Sequence, residues 1–359
     1  MHKKLFIPGP VDVRADVLEK MATPMIGHRG KAATALQKSI SEKVQKVFQT
    51  KNTIVLSTTS GSGLMESAIR CCTKKRAAVF SIGAFGDRWY KMAVSNAVPA
   101  DKFRAEDGKA TDPAEVDKVL ATGNYDLLTI THNETSVGIQ NPVEEIAKVV
   151  KKYPDVVFCM DTVSSMGGTN IPVDELGVDF CITSTQKCLG LPPGMSIASV
   201  SEKAYERAKT VEHRGLYLDI VEIMDKVRVD DKYQYPSTPS LSHMFALDYQ
   251  LDCILKEGLE NRWARHTEMA KVVREWAKKY FALFSDERYL SNTLTTITNT
   301  RGISVADLNK ALGERGYEIS NGYGSLKEKT FRIAHMADTD MDTLKALLHE
   351  IEDILGLEA

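Results

Sequence analysis

Short runs of apolar and β-branched residues recur along the first 200 residues, and amphipathic stretches separate several of them. Runs of four to eight such residues predict buried strands, and apolar positions spaced three and four apart predict helices. The predicted strands are 53–57, 77–82, 127–131, 156–160, 180–183 and 196–200. The predicted helices are 33–48, 64–72, 113–120 and 143–153. Strands that alternate with helices predict an α/β fold whose central sheet is mostly parallel and flanked by helices.

The pattern changes after residues 235–240, which are rich in proline, serine and threonine. A long helical region is predicted over about 242–284, followed by strand 293–298, helix 305–314, strand 331–335 and helix 341–355. This group predicts a small α+β C-terminal domain. We therefore expect a large domain over 15–250 and a small domain over 251–359, with the N-terminal segment 1–14 packed near the functional site.

Composition narrows the classes of partner. The 359 residues suffice for one large core and a second domain, and the net charge of −2 lacks the basic excess of a nucleic-acid-binding protein. Cys71 and Cys72 are adjacent, while Cys159 and Cys181 lie in apolar runs, so neither a metal site nor a disulfide framework is predicted. No apolar run is long enough to cross a bilayer, and the first one is broken by Pro8. We expect a cytoplasmic protein with small-molecule partners.

A lysine stands directly after one of the predicted strands. Ser184-Thr185-Gln186-Lys187 follows the strand 180–183 and precedes a turn-rich stretch with two prolines. Ligands of parallel sheets bind beyond the carboxyl ends of the strands. A lysine held there on rigid backbone is suited to form a Schiff base with an aldehyde cofactor. For a lysine taken alone, a solvated loop charge is the ordinary interpretation.

Two further strand ends carry matching chemistry. Residues 58–64 join a strand to a helix with small side chains, so that backbone N–H groups can converge on a phosphate, although an ordinary serine N-cap gives the same pattern. Asp161 closes the strand 156–160, where a carboxylate can pair with a protonated pyridine nitrogen. An aspartate that caps the following turn is the alternative.

Together with Pro8-Gly9-Pro10, residues 25–29 and the run around Arg332, these motifs resemble the class-V, fold-type-I aminotransferases that use pyridoxal 5'-phosphate (PLP). The chain is most similar to the alanine:glyoxylate and serine:pyruvate (serine:glyoxylate) aminotransferases, and the resemblance spans nearly the whole length. It implies PLP as cofactor and a homodimer with shared active sites. It also implies ping-pong transamination between alanine or serine and glyoxylate or pyruvate, with Lys187 and Asp161 as catalytic residues.

The resemblance assigns further roles. It places the cofactor phosphate on Ser62, Gly63, Leu64 and Gln186, and also on Tyr235 and Thr238 from the neighbouring subunit. It stacks Phe85 on the pyridine ring, and the glycines beside Phe85 indicate a loop. It brings Thr135 to the phenolic side of the cofactor and Arg332 to the substrate carboxylate. His28 and Arg29 are expected to approach the substrate side chain from the partner. For His132 and Glu134, supporting and purely structural roles both stay open.

Three alternatives remain. An aminotransferase for 2-aminoethylphosphonate, or another class-V PLP enzyme such as a lyase, shares much of this motif set. A cysteine desulfurase needs a reactive cysteine in the last third of the chain, but the last cysteine is Cys253, inside a predicted helix. A nucleotide-binding module without an aldehyde cofactor lacks support, because neither a G-x-G-x-x-G motif in the first βαβ unit nor a Walker A sequence is present.

Overall fold

The computed structural model describes residues 2–229 and 232–357. In chain order its strands are β1 (Lys4–Phe6), β2 (Thr53–Ser57), β3 (Ala77–Ser81), β4 (Ala100–Arg104), β5 (Leu127–Thr131), β6 (Asn133–Glu134), β7 (Ile139–Gln140), β8 (Val157–Asp161), β9 (Phe180–Ser184), β10 (Ser196–Val200), β11 (Ala282–Leu283), β12 (Leu294–Thr298), β13 (Tyr317–Asn321) and β14 (Thr330–Ala334). Its helices are α1 (Ala15–Met21), α2 (Lys31–Phe48), α3 (Gly61–Cys72), α4 (Ala84–Ser95), α5 (Pro113–Ala121), α6 (Val143–Val150), α7 (Val173–Leu176), α8 (Glu202–Lys209), α9 (Ile220–Arg228), α10 (Leu241–Glu257), α11 (Leu259–Tyr280), α12 (Val305–Glu314) and α13 (Met341–Leu355).

Seven strands form the central sheet in the order β2-β10-β9-β8-β5-β3-β4. The strands from β9 to β4 pair in parallel, and β10 is antiparallel to both of its neighbours. Thr131 lies opposite Asp161, and Asp161 lies opposite Ile182. The carboxyl ends of β5, β8 and β9 therefore meet at one edge, where parallel sheets bind their ligands. The predicted α/β class with a mostly parallel sheet is confirmed.

Apolar side chains form two main clusters. The larger cluster surrounds the central sheet and extends along the chain to Ile254 in α10. The smaller one begins at Met269 in α11 and includes Phe6 from the other end of the chain. Phe6 joins it because β1 pairs in parallel with β13 in a five-stranded sheet of order β1-β13-β14-β12-β11. The division of the chain at 250/251 stays a prediction.

The predicted helical region 242–284 is wrong in detail. It consists of two helices, α10 and α11, separated at Gly258, and residues 282–283 belong to strand β11. Gly258 has a φ of +85°, which a helix does not tolerate and which glycine adopts without a Cβ penalty.

Within the described ranges, no helix combines the length and apolarity needed to span a bilayer.

Candidate active site

Lys187 lies three residues beyond the end of β9, and only 9% of its surface is exposed. Its Nζ atom donates a hydrogen bond to the backbone carbonyl of Pro8. Its side chain passes Gly9, where a Cβ atom would stand 2.6 Å from Lys187 Cδ and where φ is +91°. The N–H group of Val11 donates to the carbonyl oxygen of Gln186 at 3.2 Å. The N-terminal segment therefore packs directly against this lysine, and a glycine permits the close approach.

The environment of Lys187 favours a neutral amine. The pKa of Lys187 is lowered to about 8, mainly by burial; the charge of Arg332 acts in the same direction, and the charge of Asp161 opposes it. Desolvation disfavours the ammonium form because a charged group loses its hydration in the interior. An amine with a pKa close to physiological pH is suited to act as both nucleophile and base.

Asp161 ends strand β8, and 4% of its surface is exposed. Its Oδ1 atom accepts the N–H of Val163 at 2.8 Å, which is the turn-capping bond of the alternative interpretation. This bond leaves the second carboxylate oxygen, Oδ2, for another partner. Burial raises the pKa of Asp161 to about 6, and the nearby charge of Glu134 acts in the same direction. A buried carboxylate of this kind requires a cationic or donating partner.

We expect Asp161→Asn to stabilise the cofactor-free protein at pH 8. The pKa of Asp161 is raised from 3.8 to about 6 in the folded protein. Between these two pH values the folded protein holds a proton that the unfolded chain releases, so the stability present below about pH 4 is lost as the pH rises to 6. The amide removes this loss and still accepts from Val163, so the free energy of unfolding rises by up to about 3 kcal/mol. Urea unfolding at pH 8 and pH 4 measures it. An equal gain at both pH values contradicts the explanation.

The predicted phosphate loop and Gln186 form one network. Helix α3 begins at Gly61, and its N-cap residue Ser60 makes no side-chain capping bond. The N–H of Gly61 donates to Ser184 Oγ at 3.2 Å, and this hydroxyl donates to Gln186 Oε1 at 2.7 Å. The open N-terminus of α3 and the amide nitrogen of Gln186 thus lie at the same strand end as Lys187. Both offer donors to an anion.

The three residues Ser62, Gly63 and Leu64 differ in what they present. Ser62 Oγ accepts a hydrogen bond from Arg88 Nη1 at 3.0 Å. A Cβ atom at Gly63 would stand 2.4 Å from Thr59 Oγ1, so this position requires glycine. The Leu64 side chain is fully buried in the large cluster, and only its backbone is left to face a ligand.

Phe85 lies in the first turn of helix α4, so its predicted loop position is wrong. The N–H groups of Phe85 and Gly86 each donate to Glu134 Oε2 at 3.0 Å. Glu134 also accepts from the hydroxyl of Ser136 at 2.6 Å. A Cβ atom at Gly83 would collide with Glu134. The flanking glycine admits a buried carboxylate that caps the helix. Glu134 therefore anchors the start of α4, and burial raises its pKa.

Arg332 is buried in strand β14 and points its donors at backbone carbonyls. Nε and Nη2 donate to the carbonyl of Asn321 at 3.1 and 3.0 Å, and Nη1 donates to that of Thr135 at 3.2 Å. Two of its five N–H groups remain. Burial lowers the pKa of Arg332 to about 10, and no aspartate or glutamate of the described residues forms an ion pair with it. Such a guanidinium is suited to bind an anion.

The side chains of Thr135 and His132 are both engaged within the protein. The Thr135 hydroxyl donates to Ser164 Oγ at 2.9 Å. The ring of the buried His132 bonds to Ser165 Oγ through Nδ1 at 2.8 Å, and Nε2 lies 3.2 Å from the amide of Gln140. Burial lowers the pKa of His132 to about 4, so this ring is neutral. The geometry favours the structural role for His132.

Tyr235 and Thr238 do not join Lys187 within one chain. The Tyr235 hydroxyl accepts the N–H of Leu56 at 2.9 Å and keeps its own hydrogen free to donate. Thr238 is exposed and lines a surface cavity that also includes Tyr217. The predicted contacts of these two residues with a partner's phosphate stay predictions.

His28 and Arg29 also lie apart from Lys187 in the single chain. They occupy a turn before α2, in which Arg29 is exposed. The carbonyl of Arg29 accepts from the Gln234 side chain at 3.1 Å. The turn that carries the His-Arg pair thus contacts the segment that leads into Tyr235. The roles of His28 and Arg29 stay predictions.

Two residues near the site carry roles that the motifs did not reveal. Arg88 stands one turn after Phe85 on α4, and its guanidinium lies 4.8 Å from the centre of the Phe85 ring. Tyr323 is 40% exposed, with its ring 5.7 Å from that of Phe85 and 5.6 Å from the Arg332 guanidinium. Arg88 follows Phe85 by three residues, a spacing that brings side chains together only on a helix, and no helix was predicted over this segment. Tyr323 reaches the site through tertiary contacts alone.

Comparisons with known proteins agree with this geometry. The class-V aminotransferase family matches residues 16–344. An uncharacterized aminotransferase from Methanocaldococcus jannaschii is 39% identical over 94% of this chain and 88% of that protein. The serine–glyoxylate aminotransferase of Arabidopsis thaliana is 30% identical over 98% of this chain and 90% of its own. The crystal structure of an alanine–glyoxylate aminotransferase from Nostoc sp. has a TM-score of 0.93 at 26% identity, covering 99% of this chain and 96% of that one.

The fold is that of the PLP-dependent transferases, with the candidate lysine and carboxylate at the carboxyl edge of the sheet. The chain belongs to the class-V aminotransferase family and is a PLP-dependent aminotransferase. The predicted family and enzyme class are confirmed.

Proposed function

We propose that this enzyme transfers the amino group of a small L-amino acid, alanine or serine, to glyoxylate or pyruvate. The observation that carries the proposal is Arg332, a buried guanidinium with two unused N–H groups and no acidic partner among the described residues. It lies close enough to Lys187 for its charge to lower the lysine pKa. Similarity to serine–glyoxylate and alanine–glyoxylate aminotransferases supports the choice of substrates.

The donor set fits PLP. The cofactor is proposed to bind with its aldehyde at Lys187 and its pyridine nitrogen at Asp161, and its phosphate at the uncapped start of α3. PLP supplies an electron-withdrawing ring that stabilises negative charge at the substrate's α-carbon. Asp161, whose Oδ2 is uncommitted, would hold a proton on the pyridine nitrogen. The Phe85 ring is proposed to cover one face of the pyridine.

The remaining steps belong to residues of the chain. Arg332 binds the substrate carboxylate through two parallel hydrogen bonds and so orients the α-hydrogen. Once the substrate amine has replaced it at the aldehyde carbon of the cofactor, the Lys187 amine would remove this proton and deliver it to that same carbon, which requires the neutral form that its lowered pKa favours. Water would then release the substrate as a 2-oxo acid while its amino group stays on the cofactor, and glyoxylate or pyruvate would take up that group by the reverse sequence. The two half-reactions make the kinetics ping-pong.

We propose further that the enzyme is a homodimer with shared sites, in which His28, Arg29, Tyr235 and Thr238 reach the partner's cofactor and substrate. Leu216 and Tyr217 support this arrangement because they are 79% and 52% exposed. Tyr217 lines the cavity that contains Tyr235 and Thr238. Exposed apolar side chains at such a position suit a protein interface.

Mixed dimers provide a test of the shared site. In a shared site, Lys187 comes from one chain and Tyr235 from its partner. A heterodimer of Lys187→Ala and Tyr235→Phe therefore has one site with both substitutions and one site with neither. If each variant alone is impaired, we expect their mixture, after dissociation and reassociation, to regain up to about a quarter of the wild-type turnover, from random pairing in a symmetric dimer. A mixture no more active than the average of the two separate variants contradicts sharing through Tyr235.

Steady-state kinetics test the reaction. L-alanine or L-serine with glyoxylate or pyruvate is expected to give parallel double-reciprocal lines, while 2-aminoethylphosphonate, which lacks the carboxylate that Arg332 binds, is a poor donor. L-aspartate serves as a larger α-amino acid for comparison. Turnover of 2-aminoethylphosphonate with indifference to alanine and serine would replace the proposed substrate class by the alternative.

A further inference from the structure

The phosphate of the proposed cofactor needs more positive charge than the predicted contacts supply. A phosphate monoester carries a charge of about −1.5 to −2 at pH 7. Ser62, Gly63, Leu64 and Gln186 offer only neutral donors. The N-terminus of α3 adds roughly half a positive charge. The Lys187 amine is committed to the aldehyde, and Arg332 is held at the other end of the site by Asn321 and Thr135.

Arg88 is a cation already placed at this loop. Its Nη1 atom donates to Ser62 Oγ at 3.0 Å, and among the described residues it is the charged side chain that hydrogen-bonds to residues 58–64. No carboxylate of the described residues forms an ion pair with it, although many other arginines of the chain are paired. A guanidinium has five N–H groups, so the bond to Ser62 leaves several for a phosphate oxygen.

The position of Arg88 is fixed from two sides. Its guanidinium lies 4.8 Å from the centre of the Phe85 ring, one helical turn earlier on α4. Glu134 holds the start of that helix through the N–H groups of Phe85 and Gly86. The positive charge of Arg88 also lowers the pKa of both Asp161 and Lys187, so Arg88 lies within electrostatic reach of both of these residues. A cation held against an aromatic face is oriented without an acidic partner.

We propose that Arg88 binds the phosphate of the cofactor and supplies the charge that the neutral loop lacks. This inference rests on PLP as the cofactor named under the proposed function. Ser62 keeps the guanidinium beside the loop, and the Phe85 ring packs against it. Arg88 acts here as a binding residue for the cofactor.

The test compares PLP with pyridoxal, which keeps the aldehyde and the ring but lacks the phosphate. The dissociation constant of each is measured on the cofactor-free protein from the visible absorption of the lysine-bound cofactor. Arg88→Met, which keeps an unbranched apolar stem but removes the charged guanidinium, is expected to weaken PLP binding about 10- to 100-fold. Pyridoxal binding is expected to change less than about threefold, because the lost interaction involves the phosphate alone.

The matched control is Arg70→Met. Arg70 lies further along α3, the helix that begins at the phosphate loop, and is 3.6 Å from Glu66 in an ion pair. Its replacement is expected to leave both constants unchanged. Arg88→Lys, which keeps a charge without the fork, is expected to fall between wild type and Arg88→Met. If Arg88→Met does not fold, Arg88→Gln replaces it in the same measurement.

Two results overturn this inference alone. The first is that Arg88→Met binds PLP as tightly as the wild type does. The second is an equal loss of affinity for PLP and pyridoxal, which would mean that Arg88 contacts the pyridine ring or supports folding. Wild-type protein that develops no visible absorption with PLP overturns the proposed function as well, so the two failures are separate observations.

Discussion

Lys187→Ala is expected to lose the visible absorption of bound PLP and at least about 10⁴-fold in turnover, because both the attachment of the cofactor and the proton transfer depend on this amine. Lys187 is buried and has a lowered pKa of about 8, so a neutral amine is available near physiological pH. Lys187→Arg is expected to be equally inactive, since a guanidinium stays protonated and cannot replace the nucleophile. Visible spectra and initial rates measure both effects.

The matched control for this prediction is Lys209→Ala. Lys209 lies at the end of α8, where it pairs with Glu206 at 2.9 Å on the surface. Its replacement is expected to leave spectrum and turnover unchanged. Turnover by Lys187→Ala above one-tenth of the wild-type rate, in a sample with native circular dichroism, would remove Lys187 from the catalytic role.

Arg332→Gln is expected to raise KM for the amino acid on the order of 100-fold while the visible absorption of the bound cofactor stays unchanged. The variant loses a charge-assisted fork that two unused N–H groups provide, and such contacts are worth about 3 kcal/mol when buried. Arg332→Lys is expected to recover little, because an ammonium is a point charge without the fork. Initial rates over a range of L-alanine concentrations measure the change.

An amine without a carboxylate is the control for this second prediction. The weak reaction of ethylamine, which offers no anionic group to the guanidinium, is expected to be the same in wild type and Arg332→Gln. An equal loss for both donors would show that Arg332 supports the fold through Asn321 and Thr135 instead of binding the carboxylate.

Sequence patterns located the parts of the site that local chemistry marks. Asp161 ends a strand, and Lys187 and Ser62 each follow one within a few residues. The carboxyl ends of parallel strands meet at one edge, whatever the conformation of the loops. Strand Leu127–Thr131 and helix Val305–Glu314 have the predicted bounds, because their apolar periodicity is strong. These features depend on residues close together in the sequence.

Long-range contacts account for what the patterns missed. Strand β4 has a charged, half-exposed pattern, which is typical of an edge strand and escapes a search for apolar runs. Lys4 pairs with Tyr317 across more than 300 residues, and Pro8 reaches Lys187 from the start of the chain. The start of α4 depends on Glu134, which lies about 50 residues further along. Without tertiary structure, the glycines beside Phe85 indicate a loop equally well.

A single half-reaction tests the central claim most directly. Wild-type enzyme with bound PLP is mixed with L-alanine or with L-serine in the absence of any 2-oxo acid, and visible absorption and products are followed together. We expect the visible absorption to fall while one equivalent of pyruvate or hydroxypyruvate forms per site, and to return when glyoxylate is added. Release of ammonia, or visible absorption that neither donor changes, would contradict transamination of a small amino acid.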